Sequence, residues 1–129
     1  MSLLLDTHVA VWAVNEPERI PLPIQALMGS EPGHVYVSHI SLWEIAIKYG
    51  FARLSAPPRP ASEMAREFLE AGFALLPLDL DHILAFERIP LLHGDPYDRL
   101  LVAQAFSEGL RLLTHDSRLA AYGDFVVAW

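Results

Sequence analysis

Five acidic residues stand where a carboxylate can do chemistry. The stretch "HGDPYDRLLVAQA" at 93–105 sets Asp95 and Asp98 on either side of a Pro-Tyr pair, at the start of an apolar helical pattern. Asp6 follows the apolar run "LLL", and Asp116 follows "LRLLTH". Glu44 lies inside "SHISLWEIAIKYG", surrounded by Leu42, Trp43, Ile45, Ala46 and Ile47. Acids brought together suit hard cations such as Mg2+ or Mn2+, which prefer carboxylate oxygen and water. The chain has no cysteine, which excludes a thiolate zinc site, a disulfide framework and a cysteine nucleophile. Any metal must therefore be held by oxygen or imidazole.

Each acid also has a purely structural use. Asp6 would cap "THVAVWAV", Asp116 would cap "SRLAAY", and Asp95 would cap its own helix with Pro96 at the first helical position. Asp98 would then sit in the electropositive first turn. Glu44 cannot be a cap, because it is internal to a helix that reads as apolar around most of its circumference, where an unpaired charge is costly. Lys48, one turn on, is the local partner in the favourable order; a metal or another basic group is the alternative. His8 and His115 lie within two residues of Asp6 and Asp116, and are expected to support the acids or face solvent.

These residues need elements to position them. At 129 residues and 53% apolar, the chain fits one domain spanning 1–129. No apolar run reaches the length of about 18 residues that crosses a bilayer, and "MSLLLDTHV" lacks the basic flank of a signal peptide, so a soluble, cytoplasmic protein is expected. The net charge of −7 argues against nucleic-acid binding through a broad basic face; bound metals would reverse that sign locally. Apolar runs at 3–5, 34–38, 73–78, 110–114 and 125–129 read as strands. They alternate with helical patterns at 7–14, 23–29, 41–49, 62–71, 80–87 and 96–108. Such alternation predicts an α/β fold: a central, mainly parallel five-stranded sheet flanked by helices. The proline-rich "RLSAPPRPAS" at 53–62 reads as a loop. Ligands of such sheets bind outside the carboxyl ends of the strands, where Asp6 and Asp116 fall and where Asp98 would face. Trp12, Trp43, Phe68 and Phe86 lie in apolar helical patterns and are expected in the core or an interface rather than stacked on bases.

Four blocks, "LLLDTHVAVW", "VSHISLWEIAIK", "HGDPYDRLLVAQA" and "LLTHDSRLAAYG", together resemble the motif blocks of PIN-domain ribonucleases, most of all the VapC-like toxins of bacterial type II toxin-antitoxin modules. Their order and spacing match, from Leu3 to nearly the end of the chain. The resemblance implies a PIN-like three-layer fold and metal-dependent hydrolysis of RNA phosphodiester bonds with Mg2+ (or Mn2+). Asp6, Glu44, Asp98 and Asp116 match the family's acidic quartet. Asp6 and Asp98 are expected as direct metal ligands, with Glu44 and Asp116 completing the shell, holding water or assisting proton transfer. Thr7 takes the small hydroxyl position, and Asp95 matches a further acid of this branch. Lys48, Arg99 and Arg118 are candidates for RNA phosphate contacts. A homodimer and a cognate VapB-like antitoxin, whose C-terminal segment covers the acidic pocket, are also implied. A haloacid-dehalogenase-like phosphatase would need an aspartate where His8 stands, and a receiver domain would need paired acids after the first strand and a lysine near the last. The remaining alternative is a non-catalytic PIN-fold interaction module.

Overall fold

The computed structural model describes residues 2–29, 33–51 and 56–129. Five strands, β1 (Leu3–Leu5), β2 (Val35–Ser38), β3 (Ala74–Leu76), β4 (Arg111–Thr114) and β5 (Val126–Ala128), form one sheet in the order β3-β2-β1-β4-β5. Every neighbouring pair is parallel. Six helices connect them: α1 (Thr7–Asn15), α2 (Leu22–Met28), α3 (His39–Tyr49), α4 (Ala61–Glu70), α5 (Leu80–Arg88) and α6 (Pro96–Glu108). Two 3-10 turns, Pro17–Arg19 and Ser117–Tyr122, complete the set.

Side chains alternate across β1 as a strand requires. Leu3 and Leu5 join Val35, Val37 and Leu113 in a core closed by Val9, Ile45, Met64 and Phe68 from α1, α3 and α4. Leu4 faces the other way and packs with Leu112, Val126, Leu101 and Val102, the last two from α6. Both faces are covered, which is why each strand reads as a continuous apolar run.

Local chemistry sets the boundaries. The Ser38 hydroxyl accepts from Ile40 N at 3.0 Å, so α3 begins at His39, two residues before the sequence pattern suggested. Pro77 follows β3 and has no N–H to continue the ladder. Gly109, at φ 68°, closes α6 in the left-handed region. Of the proline-rich segment, 56–60 holds neither helix nor strand, Ala61 and Ser62 already belong to α4, and 53–55 lie outside the described residues. One expectation is overturned. Helix α3 is not buried around its circumference: Ile40, Ser41, Glu44 and Ile45 face inward, whereas Trp43 is 60% exposed. Among the described residues, no helix is long and apolar enough to cross a membrane.

Candidate active site at the carboxyl ends of the strands

Strand β1 is flanked by β2 on one side and β4 on the other, so consecutive crossovers leave it in opposite directions and open a crevice at its carboxyl end. Asp6 stands there. It caps α1, with Oδ1 accepting from Val9 N at 2.9 Å, and its Oδ2 accepts from the Thr114 hydroxyl at the end of β4. Thr114 Oγ1 in turn accepts from Asp116 N at 3.0 Å, tying the two strand ends together. Asp6 is almost wholly buried, which raises its carboxyl above the usual range against the opposing pull of the Thr114 and Val9 hydrogen bonds.

The start of α6 brings the next acids. Asp95 caps the helix through Oδ1, which accepts from Tyr97 N at 2.8 Å and Asp98 N at 3.3 Å, with Pro96 at the first position. His93 is locked beside it. Its Nδ1 accepts from Asp95 N at 3.0 Å, which leaves the proton on Nε2 to donate to Asp116 Oδ2 at 2.9 Å. The same Nε2 is 3.9 Å from Asp98 Oδ2. Ligand atoms of His93, Asp98 and Asp116 all lie within 4.8 Å of one another.

The two carboxylates of that group differ electrically. Asp98 is pushed up to about 7, first by burial and then by the charges of Asp95, Asp6 and Glu44, with His93 opposing. Asp116 goes the other way. Arg118 grips both of its oxygens, Nε to Oδ1 at 3.0 Å and Nη2 to Oδ2 at 2.8 Å, and together with His93 holds it well below the usual carboxylate range.

Glu44 is buried on the inner face of α3. Its Oε1 accepts from the Thr7 hydroxyl at 2.7 Å, and Oε2 pairs with Lys48 one turn on. Thr7 Oγ1 also lies 2.9 Å from Ser41 Oγ. Partial burial pulls the Lys48 ammonium down, but Glu44, Asp95 and Asp98 outweigh it and raise it.

Asp6, Asp95, Asp98 and Asp116 line one open cleft of about 740 Å³ with His93 and Trp12. Glu44, Thr7 and Lys48 line a second, of about 440 Å³, that shares His8 and Trp12 with the first. The quartet is thus divided in space, although the Glu44 charge still reaches Asp6 and Asp98. All three aspartates proposed as caps are caps, so capping and cleft lining are done by the same side chains. The expected phosphate contacts fare differently: Lys48 and Arg118 are already paired with acids. Arg99 stacks its guanidinium 4.4 Å over the Phe86 ring and lines neither cleft. Sequence reasoning named His8 and His115 and passed over His93, whose only signal was its place two residues before a capping aspartate.

The donors are carboxylate oxygens and an imidazole, with Asp98 pushed up to about 7 by burial and by its acidic neighbours; that chemistry fits a hard divalent cation. Known proteins resemble the chain over nearly its whole length. Residues 3–124 match the family model described as PIN domain. Ribonuclease VapC22 of Mycobacterium tuberculosis is 29% identical over 124 residues, covering 94% of this chain and 92% of that protein. A DNA-bound VapBC structure from Salmonella typhimurium superposes with a TM-score of 0.72 at 20% identity, covering 100% of this chain and 98% of that one. VapC20 of Mycobacterium tuberculosis, described as a sarcin-ricin loop cleaving toxin, gives 0.60 at 18% identity, with 93% and 95% coverage. With a strand order, an acidic crevice and a family match spanning nearly its full length, the chain belongs to the PIN-domain family.

Proposed function

We propose that this protein is a metal-dependent ribonuclease, the toxin of a type II toxin-antitoxin pair, hydrolysing RNA phosphodiester bonds in the acidic cleft. The observation that carries the reading is the convergence of Asp6, Asp98 and Asp116 from β1, α6 and the end of β4 on one cleft, with Asp98 raised by burial and then by its acidic neighbours. The ribonuclease name of the 29% identical relative supports it.

Asp98 and Asp116, with Asp6 behind them, would hold Mg2+ or Mn2+, and Glu44 would act from the adjoining cleft. When bound, such a cation neutralises phosphate charge and acidifies water at the site. The protein's own groups do the positioning. His93 Nε2–H fixes the Asp116 carboxylate, and Arg118 keeps it ionised. Thr7 and Lys48 hold both oxygens of Glu44 in place, so that this carboxylate is directed. The Asp98 carboxyl, pushed up to about 7 by burial and by its acidic neighbours, gives up its proton when a cation is bound, so that metal binding there competes with protonation.

Two partner readings belong with this. Several of the solved neighbours are VapBC complexes, which supports a VapB-like antitoxin here. Trp43, Ile83, Phe86, Pro96, Tyr97 and Leu100 line an apolar cleft of about 240 Å³ on the surface; burying it against a second copy would form a homodimer. The nuclease test is direct. Antitoxin-free protein is incubated with total cellular RNA and Mg2+ or Mn2+, beside EDTA and Asp98→Asn controls, and cut ends are mapped. Discrete cuts that need both metal and Asp98 are expected; metal binding without any cut would favour the non-catalytic interaction module.

A further inference from the structure

The wall of the cleft beside the acids is aromatic. His8 follows Asp6 by two residues and lies one helical turn before Trp12, their ring centres 6.2 Å apart. Trp12 meets His115 at 5.4 Å, and His115 meets Trp129 at 5.6 Å. Packing alone does not explain this row. His8 and His115 are exposed, and His8, Trp12 and His115 all line the same cleft as Asp6, Asp98 and Asp116. Trp12 was expected in the core or an interface rather than stacked on bases; its ring does pack against the core, yet it also opens into both clefts.

The charges of the same region point to what such a row is for. Among the described residues, the cations lining the two clefts are Arg118, Lys48 and Arg19, and each is paired: with Asp116, with Glu44 and with Glu16 at 3.2 Å. Arg19 also lies 4.4 Å over the Trp12 ring. On a chain of net charge −7, these cations offer little free charge to a phosphate backbone. Beyond the phosphate that a bound cation would neutralise, the neighbouring nucleotides need a further hold, and stacking on aromatic rings is the interaction that tolerates any base.

We propose that His8, Trp12 and His115, with neighbouring rings inclined by 50° and 64°, form an aromatic platform that cradles one unpaired nucleobase of the RNA strand and places the adjoining phosphate over the acids. The inference rests on the ribonuclease reading and adds the residues that would seat a base beside the cut. These are positioning residues. A base stacked there costs nothing in the chemical step itself, so its loss falls on KM rather than kcat.

The test uses a short single-stranded RNA containing a mapped cut, intact or with the base removed on one side of the cut or the other, cleaved by wild type, His115→Ala and Trp12→Leu. Removing one of these bases is expected to raise the wild-type KM roughly 5- to 100-fold, with kcat little changed. Each variant is expected to raise KM on intact RNA by a comparable factor, and to add little once that base is gone. Penalties of equal size on intact and base-less RNA would overturn the platform. His115 is exposed, so His115→Ala keeps the test decisive should Trp12→Leu fail to fold. A second arm needs no cutting: quenching of tryptophan fluorescence by unpaired RNA is measured in Asp98→Asn protein, with and without Trp12→Leu. Quenching that depends on Trp12 is expected, and its absence would overturn the inference. If wild type cuts no RNA while that quenching persists, the nuclease reading fails and the platform stands; if cutting persists with base-independent penalties, the reverse holds.

Discussion

Two clusters in this molecule have the same ingredients and different characters. His93, Asp98 and Asp116 form one; Asp79, His82 and Glu108 form the other, and both bring an imidazole and two carboxylates within 4.8 Å. In the second, His82 is fully buried and its ring is saturated. Nδ1 accepts from Asp79 N at 3.1 Å and from Gln104 Nε2 at 3.2 Å, and Nε2 donates to Glu108 at 2.8 Å. The Asp79 carboxylate closes a capping box at the start of α5, and the side chains of Asp79 and Glu108 are 57% and 40% exposed, so water carries their charge. This cluster is a latch between α5 and α6. In the first, Asp98 and Asp116 are 20% and 24% exposed and lie near buried Asp6, and one carboxyl is driven towards neutrality. Ligand spacing is common to both. Charge that the fold gathers without neutralising it belongs only to the cleft.

Removing the cleft's central acid should separate the two most sharply. Asp98→Asn is expected to lower metal-dependent RNA cleavage by about a thousandfold or more, the scale of losing several kcal/mol of charge stabilisation in the transition state. It should also stabilise the metal-free protein. The Asp98 carboxyl sits above its ordinary value when folded, so between about pH 4 and 7 the folded state holds the extra proton, and stability falls as pH rises through that window. The melting-temperature gain of Asp98→Asn, measured with chelator, should therefore be larger at pH 8 than at pH 5; a loss at pH 8 would mean that the charge in the first turn of α6 matters more than its repulsion.

The latch should respond in the opposite sense. His82→Leu leaves the Asp79 N–H and the Gln104 amide without their acceptor, and is expected to cost about 2 to 3 kcal/mol of stability. Its kcat, corrected for folded fraction, should stay near wild type. Denaturant unfolding beside steady-state cleavage would check both halves of that statement.

His93→Ala lies between. It removes the donor that orients Asp116 and the acceptor for Asp95 N–H, so activity should drop about 10- to 100-fold, the usual cost of losing a group that holds a metal ligand, with a smaller stability change than His82→Leu. Arg118→Ala has the mildest expected effect. Arg118 is fully exposed, but it is the first cause of the lowered Asp116 carboxyl. That carboxyl should move up towards its ordinary range, and the acid limb of the pH-rate profile should shift to higher pH with it.

Much of this comparison was legible in the sequence, and the exceptions have a common cause. Asp6, Asp98 and Asp116 could be found because strand ends and helix starts are local patterns, and α6 runs from Pro96 to Glu108 as its cap and periodicity predict. Glu44 stood out as a charge inside an apolar helix, and its partner Lys48 was four residues away. What could not be read was tertiary pairing. The Thr114 to Asp6 hydrogen bond joins residues 108 positions apart. The orientation of His93 depends on the Asp95 amide on one side and Asp116, from another strand end, on the other. The exposure of Trp43 was hidden because periodicity counts apolar residues without saying which face a neighbouring helix covers. His82 was passed over as well, since only Asp79 is local to it and its other partners, Gln104 and Glu108, come from α6.

The most direct test of the central claim is a Mn2+ titration followed by electron paramagnetic resonance on wild type, Asp98→Asn and His82→Leu. The account predicts binding by wild type, loss of that binding in Asp98→Asn, and its retention in folded His82→Leu. Binding that survives Asp98→Asn and disappears in His82→Leu would place the metal at the latch and contradict the account.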